Sequence, residues 1–236
     1  MQTVLALDTA TEFCSVALAH AGHITQQHVE LPRAHNRHIL SMIDTVLAGK
    51  KLSDIDLIAC GVGPGSFTGL RIGCSVAQGL AWSLDLPVYP QCSLHAQALS
   101  ALAEESFTLE TGDWLLSTID AQINQLYWRW FCYGDDGLYP VSEPLISPPT
   151  AIGAFPVQGK VTVIGSGCHY EDVLRASFPR EVDYRPSARP IAGVLAAQLH
   201  SAPISDLPTV RAIDLLPRYV QLDVGWKKLS EQGSHD

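Results

Sequence analysis

The chain has little charge. Asp, Glu, Lys and Arg make up 17% of its 236 residues, against roughly 25% in ordinary soluble domains. Cations are the scarcer sign, 15 against 24 anions, giving a formal net charge of −9. Such a balance lacks the cationic footprint needed to grip a phosphate backbone unaided, so little direct nucleic-acid contact is expected. Long apolar runs are also missing, although 47% of residues are hydrophobic; none approaches the roughly 18–20 residues of a membrane span. Met1-Gln2-Thr3 carries neither the basic nor the long apolar segment of a secretory signal. The six cysteines (Cys14, Cys60, Cys74, Cys92, Cys132, Cys168) include no C-x-x-C pair, which argues against a disulfide framework or a zinc cluster. Buried free thiols in a soluble, cytoplasmic chain without membrane contact are the expectation. Few charges mean either an unusually large buried share or neutral surface kept for a partner.

What is present is a duplicated α/β pattern. Thr3–Asp8, Ser15–His20 and Ile24–Glu30 read as strands, the last two joined by a turn at Ala21-Gly22-His23. The period then changes: Ile39, Leu40, Ile43, Val46 and Leu47 share one helical face within 33–47, and Gly49 follows as a stop. A buried strand (57–62), a glycine-rich turn, a helix (70–84) and a strand (87–91) come next, and Ser93 is expected to cap a helix reaching Glu104. The second half repeats the plan, with strands expected at 114–120, 124–133, 138–146 and 160–165 and a helix at 170–178. Asp8 and Asp120 end the first strand of each half, and glycine turns recur at 63–65 and 165–167. Two copies of one unit are therefore expected, divided near 106–112 into residues 1–106 and 107–236, the latter with a short tail.

The most distinctive segment is Gly61-Val62-Gly63-Pro64-Gly65-Ser66-Phe67-Thr68-Gly69-Leu70-Arg71-Ile72-Gly73. Glycines between a strand and a helix suit either an anion cradle or a turn that lets the two pack closely. No Gly-Lys-Ser/Thr ends the segment, and its glycine spacing is not that of a dinucleotide fingerprint. Gly69, Gly73 and Ala77 are four apart, so one side of the helix is almost without bulk. That stripe suits a second helix or this chain's own sheet. Asp8-Thr9-Ala10-Thr11 lies where actin-like ATPases carry Asp-x-Gly-Thr, and the Ala10 methyl would crowd a phosphate. His35 and His38 share a helix but lack H-E-x-x-H spacing, which favours solvated histidines over metal ligands. Tyr127, Arg129 and Phe131 are expected on one face of a strand, with Trp128 and Trp130 on the other.

Ala6-Leu7-Asp8-Thr9-Ala10-Thr11, Ser15-Val16-Ala17-Leu18, Arg33 with His35, and Gly63 to Gly73 resemble the bacterial TsaB (YeaZ) family in order and spacing. Ile119-Asp120-Ala121, Leu126-Tyr127, Tyr219 and Trp226-Lys227-Lys228 extend the likeness over nearly the whole chain. The resemblance implies an actin-like (ASKHA) α/β fold of two ribonuclease-H-like lobes. It also implies a non-catalytic accessory role in N6-threonylcarbamoyl modification of adenosine in transfer RNAs that read codons starting with A. The implied partners are a TsaD-like catalytic subunit and a TsaE-like ATPase, with a homodimer when the catalytic subunit is absent. Carried over by position, His35, Ile39, Met42, Gly69, Ile72, Gly73, Val76 and Ala77 would face the partner. Asp8, Thr9, Thr11, Gly63, Gly65 and Ser66 would be degenerate nucleotide-loop positions, with no catalytic or metal residues and no cofactor of the chain's own, nucleotide and metal being left to partner subunits. Gln122 and Gln125 replace the arginine and acid common in the family. Alternatives are an autonomous actin-like ATPase or kinase and, less readily, a metallopeptidase.

Overall fold

The computed structural model describes residues 1–152, 158–178 and 182–220; Trp226, Lys227 and Lys228 lie outside them. Three antiparallel strands open the chain, β1 (Val4–Asp8), β2 (Phe13–His20) and β3 (His23–Glu30). Helix α1 (His35–Leu47) turns its apolar face, Ile39, Met42, Ile43 and Val46, into the core and ends at Ala48 in the left-handed region (φ 49°). Then follow β4 (Leu57–Gly63), α2 (Phe67–Leu84), β5 (Val88–Cys92) and α3 (Ser93–Leu102). The first sheet runs β3-β2-β1-β4-β5, with β4 parallel to both β1 and β5.

The second half repeats this order. Strands β6 (Trp114–Gln122), β7 (Gln125–Gly134) and β8 (Gly137–Pro140) form an antiparallel meander, and β9 (Leu145–Ser147) also pairs with β7. Strand β10 (Val161–Gly165), helix α4 (Glu171–Ser177) and β11 (Val182–Arg185) complete a sheet ordered β11-β10-β6-β7-β8. Both sheets therefore have a three-strand antiparallel side and a parallel side. This is the expected α/β actin-like arrangement of two ribonuclease-H-like lobes. The expected strand 138–146 is broken into β8 and β9 because Pro140 and Pro144 have no N–H to give a ladder. Between them the Ser142 Oγ accepts the Trp130 N–H (3.0 Å) and the Ser142 carbonyl accepts Arg129 Nε (2.8 Å).

The strands divide near residues 106–112, but the helices are exchanged. Helix α5 (Ala192–His200), from the chain's far end, packs on the open face of the first sheet with Ala6, Ala17, Ala19 and Ala59. Helix α3 instead packs with Leu115, Phe131 and Ile164 of the second sheet. Trp128 and Trp130 face one core and Tyr127 and Phe131 the other side, as strand alternation requires. After α5 the chain returns to the first lobe. Val210 bridges Val88, Ala212 and Leu215 enter the first core, and Arg218 N–H reaches the Val62 carbonyl (2.8 Å). The described cysteines are all free thiols, and burial pushes Cys14 and Cys168 up to about 12.

Candidate functional site

A cleft of about 1210 Å³ separates the two lobes. Its walls come from the β1–β2 turn, the starts of α1 and α2, and the end of β6 with the β6–β7 turn. Thr11, Gly65, Ser66, His35, Gly69 and Ile72, all singled out by sequence, line it, whereas Asp8 does not.

Asp8 is 4% exposed. Its Oδ1 accepts the Ala10 N–H (2.9 Å), closing a turn two residues on, and its Oδ2 accepts the Ser93 hydroxyl (2.8 Å). Ser93 Oγ in turn accepts the Gly63 N–H at 3.3 Å. The expectation that Ser93 caps α3 is thus corrected: Cys92 holds the cap position without a side-chain bond, and the Ser93 hydroxyl is held by Asp8. Gly61 lies against the same carboxylate so closely that a Cβ there would overlap Oδ2. Burial pushes the Asp8 carboxyl up to about 6, against the opposing hydrogen bonds from Ala10 and Ser93. Ser93 and Gly61, distant in sequence, carried no local signal of this role.

The glycine segment packs onto the same turn. Ser66 N–H donates to the Ala10 carbonyl (2.7 Å), and a Cβ on Gly65 would overlap both that carbonyl and the Ala10 methyl. Thr9, fully buried, donates to the Gly69 carbonyl (2.8 Å), while a Cβ on Gly69 or Gly73 would overlap the Thr9 carbonyl or its Oγ1. Gly63 holds φ +105° against Leu70 and the Arg218 carbonyl. Ser66 caps α2 by accepting Gly69 N–H (3.3 Å), and Thr11 Oγ1 accepts Phe13 N–H (3.2 Å). Of the two readings of this segment, close packing is the one the geometry displays: the Gly63, Ser66 and Gly69 amides bond within the chain, and Gly65, Gly69 and Gly73 leave no room for a Cβ.

The second lobe places Asp120 at the matching strand end. Its Oδ1 accepts the Gln122 N–H (2.9 Å), its Oδ2 accepts Gln122 Nε2 (3.2 Å), and His169 Nε2 stands 4.0 Å from Oδ2. Gln122, Ile123 and Asn124 all have positive φ, and Ile123 is 92% exposed at the tip. Gln125 leaves its Oε1 buried without a hydrogen-bond partner. Among the described residues no cluster of three or more His, Cys, Asp or Glu side chains could hold a metal.

The small side of α2 faces inward. Gly69, Gly73 and Ala77 are buried against this chain's own β1 region, and His35, Ile39 and Met42 are buried as well. His35 is thus not solvated, in contrast to His38, which is exposed. Ile72 and Val76 are half-buried on the outer side of α2, beside exposed Ser75 and Gly79, and a Cβ on Gly79 would meet nothing. At the start of α2, Phe67 stacks on Tyr219 (centroids 4.5 Å apart), and Arg71 Nε donates to the Tyr219 hydroxyl at 3.0 Å.

The family whose description is TsaD, tRNA N6-adenosine threonylcarbamoyltransferase, has a model that matches residues 26–163. A Haemophilus influenzae protein named tRNA threonylcarbamoyladenosine biosynthesis protein TsaB is 34% identical, with 96% of this chain and 97% of that protein covered. The Escherichia coli protein of the same name is 32% identical with the same coverage. The solved structure of YeaZ from Pseudomonas aeruginosa superposes with a TM-score of 0.82 at 32% identity, covering 93% of this chain and all of that one. With similarity of this extent in sequence and fold, the chain belongs to the TsaB (YeaZ) family.

Proposed function

We propose that this chain is a non-catalytic scaffold in threonylcarbamoyladenosine formation on transfer RNA. It binds a TsaD-like catalytic subunit, holds it in its competent arrangement, and helps form the surface to which a TsaE-like ATPase docks. The sealing of Asp8 under Gly61 and Ser93 carries this reading, because an acid so enclosed is not free to organise a nucleotide's metal ion. The names of the relatives supply the process. The mechanism is population shift: binding energy favours one conformer of the partner, and no bond is made or broken here.

The docking face in this reading is the outer side of α2, where Ile72 and Val76 flank Ser75 and Gly79; the small outward residues let a partner helix approach closely. The same face joins two copies when the catalytic subunit is absent. Nucleotide and metal belong to the partner subunits. With a net charge of −9, most contact with transfer RNA also falls to them. No helix among the described residues is long and apolar enough to cross a membrane, and cytoplasmic residence follows from the process.

Ile72→Glu with Val76→Glu tests the reading. The folded variant is expected to lose co-purification with the catalytic subunit and to fail in reconstituted transfer RNA modification. Undiminished binding would reject the docking face, and nucleotide turnover by the isolated chain that falls with Asp8→Asn would reject the scaffold itself.

A further inference from the structure

Apart from the sealed Asp8 position, one side of the cleft is unfinished. Helices α1 and α2 both begin on it, with Arg33, His35 and Asn36 at the approach and start of one and Ser66, Phe67 and Thr68 at the cap and start of the other. Helix starts present free N–H groups and partial positive charge. Helix α2 meets part of that need through Ser66, but α1 does not. Its cap residue is Ala34, which offers no side-chain acceptor, and its first turn contains no acid. An independent observation lies at the same place: His35 borders the cleft, is only 5% exposed, and leaves Nε2 buried with no hydrogen-bond partner. A buried polar atom without a partner costs about 1–3 kcal/mol, so such atoms call for an explanation. Arg33 stands beside it, exposed, held at φ +61°, and in no ion pair among the described residues.

The acids nearby are already engaged. Glu12 pairs with Arg189 at 2.7 Å. Asp120 accepts two bonds from Gln122. An unpaired guanidinium and an uncapped helix start both lack an acceptor carrying negative charge, and the His35 imidazole joins them in the tautomer that carries its proton on Nε2.

We infer that the α1 side of the cleft, at Arg33, His35 and the first turn of α1, binds a small oxyanion of the phosphate class. A guanidinium fork and helix amides suit tetrahedral oxygens. The concave setting and the chain's overall negative charge favour a small anion over a polyanionic backbone. The site goes beyond the scaffold reading and does not depend on it.

The test is titration of the full chain with inorganic phosphate, and separately with a short RNA oligonucleotide, at constant ionic strength set with chloride. The readouts are the His35 ring nitrogens and the His35 and Asn36 amides by NMR. Saturable shifts with phosphate are expected. Arg33→Gln, an exposed change that spares the core, should weaken binding by roughly tenfold or more, the worth of one charge-assisted contact. Ala34→Asp, which places a carboxylate at the helix start, should displace the anion while leaving the fold intact. No saturable shift with phosphate, shifts equal in wild type and Arg33→Gln, or saturation by RNA alone would each overturn the proposal.

Discussion

Asp8 and Asp120 end the first strands of the two lobes, and each accepts the N–H two residues on at 2.9 Å. There the likeness stops. Asp8 is walled in by Gly61 and Ser93 and pushed up to about 6, whereas Asp120 borders the open cleft, with Gln122 and His169 around it. The difference teaches that the same turn serves two ends in one chain. In the first lobe it is a buried joint that fastens strand, glycine loop and α2 together; in the second it stays a surface turn.

Breaking the joint should have the largest effect. Gly61→Ala and Gly69→Ala drive a methyl into Asp8 Oδ2 and the Thr9 carbonyl. Each is expected to lower stability by about 3 kcal/mol or more in urea denaturation, the upper range for overpacking into rigid surroundings. The comparison is sharpened next by pH. A carboxyl raised from 3.8 to about 6 in the folded state binds its proton more tightly folded than unfolded. Its contribution is therefore full below 3.8 and lost as pH rises through 6, about 3 kcal/mol in all. Asp8→Asn should flatten that part of the stability profile, and Asp120→Asn should leave it in place. Gly79→Ala, on the open side of α2, should stabilise by about 0.5–1 kcal/mol, opposite in sign to Gly69→Ala on the same helix. Smallest is Asp120→Asn itself, expected within about 0.5 kcal/mol of wild type in the same measurement.

Much of this was legible in the sequence, for physical reasons that also mark where legibility ended. Alternation and helical period gave the first lobe's elements, because each has one buried and one open face. The need for glycine at 65 was legible as a tight turn, but that the turn packs against Ala10 was not, because the two lie on separate loops. The inward turn of Gly69, Gly73 and Ala77 was not, because small residues suit a partner helix and the chain's own strand equally well. Helix α5 is apolar almost all round, Ala-Gly-Val-Leu-Ala-Ala, because it lies between the first sheet and α3. It therefore lacks the periodicity that betrays a surface helix. The partners of Asp8 come from β4 and the start of α3, and only the folded chain brings them together.

Reconstituted transfer RNA modification with Asp8→Asn in place of the wild-type chain tests the scaffold account most directly. The account predicts that modification needs this chain and proceeds at the wild-type rate with the variant, since the carboxylate serves the fold alone. A folded Asp8→Asn chain that still binds the catalytic subunit but no longer supports modification would contradict it.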